Sequence, residues 1–264
     1  MVKFWILLGI KNGILTTKYP AKAPTVDEIP LSSIPPSPST DTSWADGERN
    51  CPTGAIQTQP RRNIDLGKCI YCKRCASAGF IFDKDESEMG RKMALQARAA
   101  ARKVAIEEWN RQRAIFKRSF HIMMIDVGSC NACNIEVLNI SNPYYDLTRL
   151  GIFFTNSPKH ADALVVVGAL NIAMVEVLKR TYESMPNPKL VISVGACAIS
   201  GGIFHDAEGF VSPIQDIIPV DVTVPGCPPT PIQILEGLLL TVGKLENNLV
   251  VNRLEGDNKV LQRG

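Results

Sequence analysis

Eight cysteines are the residues of this 264-residue chain best suited to chemistry, and they fall into two sets of four with none left over. One set begins in Gly128-Ser129-Cys130-Asn131-Ala132-Cys133-Asn134-Ile135-Glu136 and is completed by Gly195-Ala196-Cys197 and by Pro225-Gly226-Cys227-Pro228-Pro229. The other set is Cys51, in Cys51-Pro52-Thr53-Gly54-Ala55-Ile56, with Cys69, Cys72 and Cys75 in Cys69-Ile70-Tyr71-Cys72-Lys73-Arg74-Cys75. Thiolates are soft ligands, and four of them delivered to one place make a metal site. Structural zinc sites usually join two Cys-x-x-Cys knuckles, or one knuckle and a His pair, in a compact module. A single knuckle joined by two distant cysteines suits a 4Fe-4S cluster, whose ligands are commonly four Cys. Spacing favours iron-sulfur and leaves zinc open.

The second set has a further pattern. In bacterial ferredoxins with two clusters, Cys-x-x-Cys-x-x-Cys supplies three ligands to one cluster, and the Cys-Pro of the other half supplies the fourth. Cys69, Cys72 and Cys75 match the triple and Cys51 matches the Cys-Pro, so this segment resembles the second half of such a ferredoxin. No first triple lies between Thr40 and Asn50, and Ala76-Ser77-Ala78-Gly79 stands where the last Cys-Pro belongs. One complete ligand set is kept and one complete set is lost. A compact zinc knuckle is the alternative.

The elements that must position these thiols are legible from hydrophobic patterning. Each cysteine of the first set follows an apolar, β-branched run: Ile122 to Val127, Leu190 to Val194, and Val220 to Val224. Runs from Gly151 to Thr155 and from Asp162 to Gly168 add two strands, and helices are expected over Asn134 to Ile140, Asn171 to Glu183 and Pro229 to Val242. Strands alternating with helices predict an α/β domain with a parallel, flavodoxin-like sheet and ligands at the carboxyl edge of its strands. No Gly-x-Gly-x-x-Gly or Walker loop accompanies the strands, so no nucleotide is expected.

The rest of the chain is organised around these two parts. Residues 1–20 read as an amphipathic helix, and residues 21–46 as a Pro/Ser-rich connector in which Pro24, Pro30, Pro35, Pro36 and Pro38 favour extended backbone. A small ferredoxin-like α+β domain is expected over 47–83, a long linker helix over 84–119, the flavodoxin-like domain over 120–245 and a tail over 246–264. The linker is rich in Ala, Arg, Lys, Glu and Gln, and reads as a solvated helix or one lying on an acidic partner. A net charge of +3 is too small to argue for nucleic acid. Eight cysteines in a chain this long point to a reducing compartment rather than a disulfide scaffold. No run approaches the roughly 18 apolar residues that a membrane span requires.

With Cys130-x-x-Cys133, Gly195-x-Cys197 and Pro225-Gly226-Cys227-Pro228-Pro229 in view, residues 120 to 245 resemble the iron-sulfur small subunit of energy-converting, membrane-associated NiFe hydrogenases and the 20 kDa protein of complex I. Cys-x-x-Cys resembles the hydrogenase branch, because the complex I branch typically has adjacent cysteines there. Residues 1 to 80 resemble the ferredoxin-like (23 kDa-type) protein of the same complexes, so the chain looks like a fusion of two neighbouring subunits. The resemblance implies an electron-transfer subunit with two 4Fe-4S clusters, peripheral on the cytoplasmic side of the membrane. It would relay electrons from a ferredoxin or another iron-sulfur subunit to the NiFe site of a partner large subunit, next to the membrane subunits of the complex. A complex I-like quinone oxidoreductase or a sulfur-reducing complex is the alternative, and a zinc-stabilised assembly protein a remote one. Glu136 approximates an acidic position of the family and is a candidate for proton transfer. Lys73 and Arg74 should raise the potential of the cluster beside them. His205 and Asp206 read as a surface pair, and His121 and His160 as ordinary residues.

Overall fold

The computed structural model describes residues 10–11, 36–82 and 119–242. The expected N-terminal helix (Ile10 and Lys11 aside), the connector up to residue 35, the linker helix before Ser119 and the C-terminal tail lie outside the described residues.

Residues 36–82 form a small α+β unit. Strand β1 (Ser37–Pro38) leads to helix α1 (Trp44–Asn50), the hairpin of β2 (Ile56–Gln57) and β3 (Asn63–Ile64), a 3-10 turn at Arg74–Ala78, and β4 (Phe80–Ile81), which returns antiparallel to β1. Ser43 caps α1 by accepting from the Asp46 N–H, so the helix begins at Trp44, inside the stretch expected to be extended connector. The two segments that lack ferredoxin ligands meet in aromatic packing. Trp44 sits edge-on to Phe80 at 5.4 Å, over Ile56, Cys75 and Ala78.

Residues 119–242 form the expected α/β domain. Its strands are β5 (Phe120–Asp126), β6 (Ile152–Phe154), β7 (Ala163–Val167), β8 (Leu170–Asn171), β9 (Leu190–Val194), β10 (Phe210–Val211) and β11 (Val222–Val224). β8 and β10 pair antiparallel with each other, and the other five make one parallel sheet in the order β11-β9-β7-β5-β6. The first strand of the domain therefore lies between the second and the third, which is the flavodoxin-like order.

Alternate residues on the strands feed two cores. Phe120, Ile122, Val165, Val167, Ile192 and Val194 face helices α2 (Ala132–Asn139) and, later in the chain, Pro231–Thr241. Ile125, Val127, Leu164, Val166 and Val191 face helices α3 (Val175–Glu183) and α4 (Ala196–Ser200). The last helix, Pro231–Thr241, is α5. Burying one such side chain stabilises by about 1.5–3 kcal/mol, and a one-residue slip of β7 would exchange both faces at once. The register is thereby fixed, and with it the level at which each strand releases its loop. The helix expected from Asn171 starts as a 3-10 turn at Ile172–Met174, because the Asn171 side chain accepts from the Ala173 N–H; regular helix follows from Val175.

Candidate metal centres

Cys130 and Cys133 follow β5, Cys197 lies in the first turn of α4 after β9, and Cys227 follows β11. β7 separates β5 from β9 in the sheet, so the loop after β5 must cross the end of β7 to reach the other thiols. Glycines make that crossing possible. A Cβ on Gly168 would lie 2.6 Å from the Ser129 nitrogen, and one on Gly128 would collide with the Ala169 carbonyl. Asp126 then holds the loop: one carboxylate oxygen accepts from the N–H groups of Gly128 (2.9 Å) and Ser129 (2.8 Å), the other from the Ser129 hydroxyl (2.8 Å) and Asn134 Nδ2 (2.6 Å). Burial alone would raise the Asp126 pKa, but these hydrogen bonds outweigh it and hold the carboxyl below its ordinary value.

The remaining loops are stitched to this one. Gly195 donates to the Val224 carbonyl (2.9 Å) and Ala196 to that of Gly226 (2.8 Å), which ties the Cys197 loop to the Cys227 loop. Gly195 has φ +91° and ψ 156°, a glycine-only conformation, and a Cβ there would lie 2.6 Å from Cys133 Sγ. Burial, then the like charges of Cys197, Cys227, Cys130 and Glu136, push the Cys133 thiol up to about 12. Burial, then Cys227 and Cys130, push Cys197 up to about 11, and burial leads the rise of Cys227. The four thiols are thus gathered at one edge of the sheet, and each thiolate would raise the cost of the next.

Cys51, Cys69, Cys72 and Cys75 line one small cavity, partly open to solvent, together with Thr53, Ile56, Tyr71 and Phe82. The Pro52-Thr53-Gly54-Ala55-Ile56 loop turns N–H groups toward Cys51. Burial raises that thiol, but the N–H groups of Thr53, Ile56 and Ala55 outweigh burial and lower it; Ala55 N lies 3.3 Å from the sulfur. Burial pushes Cys69 up to about 12, with Cys51, Cys75 and Cys72 adding to the rise. Lys73 Nζ lies 5.8 Å above the Phe82 ring at the rim of the same cavity.

The donor chemistry fits an iron-sulfur group in both places. Each set presents four soft donors, partly buried, with backbone N–H groups aimed at the Cys51 sulfur. After burial, which dominates both, the charge of Cys72 adds to the rise of Cys227, and the charges of Cys69 and Cys227 add to the rise of Tyr71.

Glu136 is half-buried on α2, and its charge is felt by Cys133 and by Tyr145. His205 sits near the Cys197 loop, with Nδ1 3.0 Å from the Gly202 carbonyl and Nε2 2.8 Å from an Asp206 oxygen. His121 stacks on Phe153 away from both sets. Sequence reasoning missed Asp126 and Asn134. The available signal was an acidic residue at a strand end followed by Gly-Ser, the pattern of a side chain that caps its own loop.

The family model described as "NADH ubiquinone oxidoreductase, 20 Kd subunit" matches residues 130–241, a span that takes in Cys130, Cys133, Cys197 and Cys227. The probable membrane-bound hydrogenase subunit mbhJ of Pyrococcus furiosus is 44% identical over 128 residues, which cover 48% of this chain and 77% of that one. Formate hydrogenlyase subunit 7 of Escherichia coli is 44% identical over 133 residues, 50% of this chain and 52% of that one. An NADH-quinone oxidoreductase subunit of Citrifermentans bemidjiense is 39% identical over 143 residues, 54% of this chain and 79% of that one. Four thiols raised on the loops of a flavodoxin-like sheet, within a span matched at this level, have one consistent reading: the chain belongs to the family of the 20 kDa subunit of NADH ubiquinone oxidoreductase.

Proposed function

We propose that this chain is an electron-transfer subunit of a membrane-associated hydrogenase complex and carries two 4Fe-4S clusters. One is held by Cys130, Cys133, Cys197 and Cys227, the other by Cys51, Cys69, Cys72 and Cys75. The observation that carries the reading is that the turn leading into Cys69 touches the helix that carries Cys197, with Ser200 Oγ 3.0 Å from the Gly67 carbonyl. Such clusters supply one-electron transfer at potentials tuned by charge and by hydrogen bonds to sulfur.

The chain's own residues have definite parts in this reading. Asp126 and Asn134 hold the Cys130 loop over β7. The N–H groups around Cys51, with Lys73 and Arg74 nearby, favour the more reduced, more negative state of the ferredoxin-like site. Glu136, whose charge adds to the rise of the Cys133 thiol, takes the proton-transfer role in this reading. The domain division follows the sites, with 47–83 around one and 120–245 around the other. No helix among the described residues is long and apolar enough to cross a membrane. In this reading partner subunits provide the attachment, and the chain sits on the cytoplasmic side. Electrons would enter from a ferredoxin or another iron-sulfur subunit and leave to a large subunit.

Cys-x-x-Cys at 130–133 and the two hydrogenase relatives favour a NiFe partner. The 39% identity to a subunit of an NADH-quinone oxidoreductase supports the second reading, the equivalent subunit of a quinone-reducing complex. Purifying the native complex through a tag on this chain tests both. Nickel with proton reduction from a reduced low-potential donor is the expected result. A nickel-free complex that reduces quinone would replace the first reading with the second.

A further inference from the structure

The two thiol sets belong to different folding units, and among the described residues these units touch where the Gly67 turn meets Ile199 and Ser200 of α4. We propose that the turn at Gly67 and the carboxyl end of α4 form a latch that fixes the spacing of the two clusters, with Gly67 and Ser200 as its positioning residues. The inference rests on the two-cluster reading above.

The latch is built from atoms close to both sets. Ser200 Oγ lies 3.0 Å from the Gly67 carbonyl, a contact made across 133 residues of chain, and also bonds the Ala196 carbonyl at 3.0 Å. Ser200 follows Cys197 by one turn of α4, and Gly67 precedes Cys69 by two residues. Asp65 shapes the turn, accepting from the Gly67 N–H at 2.9 Å through its side chain and from the Lys68 and Cys69 N–H groups through its carbonyl. Any movement of the turn against α4 is therefore passed directly to Cys69 on one side and to Cys197 on the other. Tyr71 packs with Ala55, Leu66 and Cys69 in the same region, which leaves the turn little room to give.

Gly67 is a glycine for reasons of space and not of backbone conformation. It is not among the glycines with positive φ, so an L side chain could adopt its conformation. A Cβ there would nevertheless lie 2.9 Å from Ile199 Cγ2 and 3.2 Å from Asp65 Oδ1. Ile199 is β-branched and cannot swing that methyl away without leaving its rotamer. A side chain at position 67 must instead lift the turn from α4 and separate the two sets.

The test uses the full chain, reconstituted anaerobically with iron and sulfide, reduced with dithionite and read by iron content and low-temperature EPR. In the unaltered chain, full iron content with magnetic interaction between the two signals is expected. Gly67→Val should keep the iron and lose the interaction, and Ser200→Ala should weaken it. Gly67→Ala should weaken it as well, and Gly67→Ala combined with Ile199→Ala should restore it. An undiminished interaction in Gly67→Val at full iron content would overturn the latch while leaving the two-cluster reading in place. Loss of iron in Gly67→Ala that Ile199→Ala does not repair would assign Gly67 to its own site and overturn the latch too. An unaltered chain that holds iron for one cluster only would remove the two-cluster reading and the latch together.

Discussion

Replacing Gly195 with Ala isolates the geometry of the Cys130, Cys133, Cys197 and Cys227 site. Two effects follow from the structure. The conformation at Gly195, φ +91° and ψ 156°, lies in a region essentially reserved for glycine, so any side chain there is strained by about 1–3 kcal/mol. The new Cβ would also lie 2.6 Å from Cys133 Sγ, roughly 1 Å short of an ordinary van der Waals contact. Cys133 is buried in the core cluster that also holds Val137 and the β5 residues Phe120 and Ile122. Overpacking of this kind adds about 1–3 kcal/mol, for a total near 2–6 kcal/mol. Gly209→Ala is the control, since Gly209 also has positive φ (+84°) but its Cβ would meet nothing within 4 Å. That variant should lose about 1–2 kcal/mol, from backbone strain alone. Denaturant unfolding of the iron-free chain measures the stability difference, and iron analysis after anaerobic reconstitution measures the site. Gly195→Ala should hold about half the iron of the unaltered chain, while Gly209→Ala holds all of it. Equal stability and full iron in the two variants would refute the placement of Cys133 against Gly195.

Further expectations follow from the same geometry. Cys72→Ser should remove one EPR signal and about half the iron, and Cys133→Ser the other half, because the two sets share no ligand; loss of both signals from either variant would break the partition. Asp126→Ala should lower stability by about 1–2 kcal/mol through the lost backbone hydrogen bonds and should weaken iron retention at the Cys130 set only, as measured by denaturation and iron analysis. The Asp126 pKa is lowered on folding, so its contribution to stability is present above the unfolded carboxylate value of about 3.9 and is lost as pH falls through the folded one. Asp126→Asn should flatten that acid limb. In the iron-free chain the thiols of Cys69, Cys133 and Cys197 are raised from 9.0 to about 12, about 12 and about 11. A raised pKa favours the protonated fold, so this contribution is complete below about pH 9 and falls away between about 9 and 12. Iron-loaded protein should not show that alkaline loss in a melting series across the same pH range.

Much of the α/β domain was legible because its physics is repetitive. A run such as Leu190 to Val194 is buried on both faces, as only a central parallel strand is, and the observed strand has the expected bounds. The cysteines that follow such runs had to meet at the carboxyl edge. The crossing of β7 by the Cys130 loop was not legible, because strand order depends on long-range packing and the Gly128 and Gly168 contacts join distant segments. The seam between the units was hidden for the same reason: a hydroxyl at Ser200 bonding the carbonyl of Gly67 leaves no periodic trace in sequence. Near the amino end, the proline count suggested extended chain up to residue 46, but the Ser43 cap and the burial of Trp44 on Phe80 start a helix sooner. Local capping and aromatic burial outweighed composition there.

The most direct test of the two-cluster reading is the iron, zinc and acid-labile sulfide content of the anaerobically purified chain, with EPR after dithionite reduction. About eight iron and eight sulfide per chain, no zinc, and two interacting signals are expected of two 4Fe-4S clusters. Zinc without iron or sulfide, in a colourless and EPR-silent protein, would contradict it.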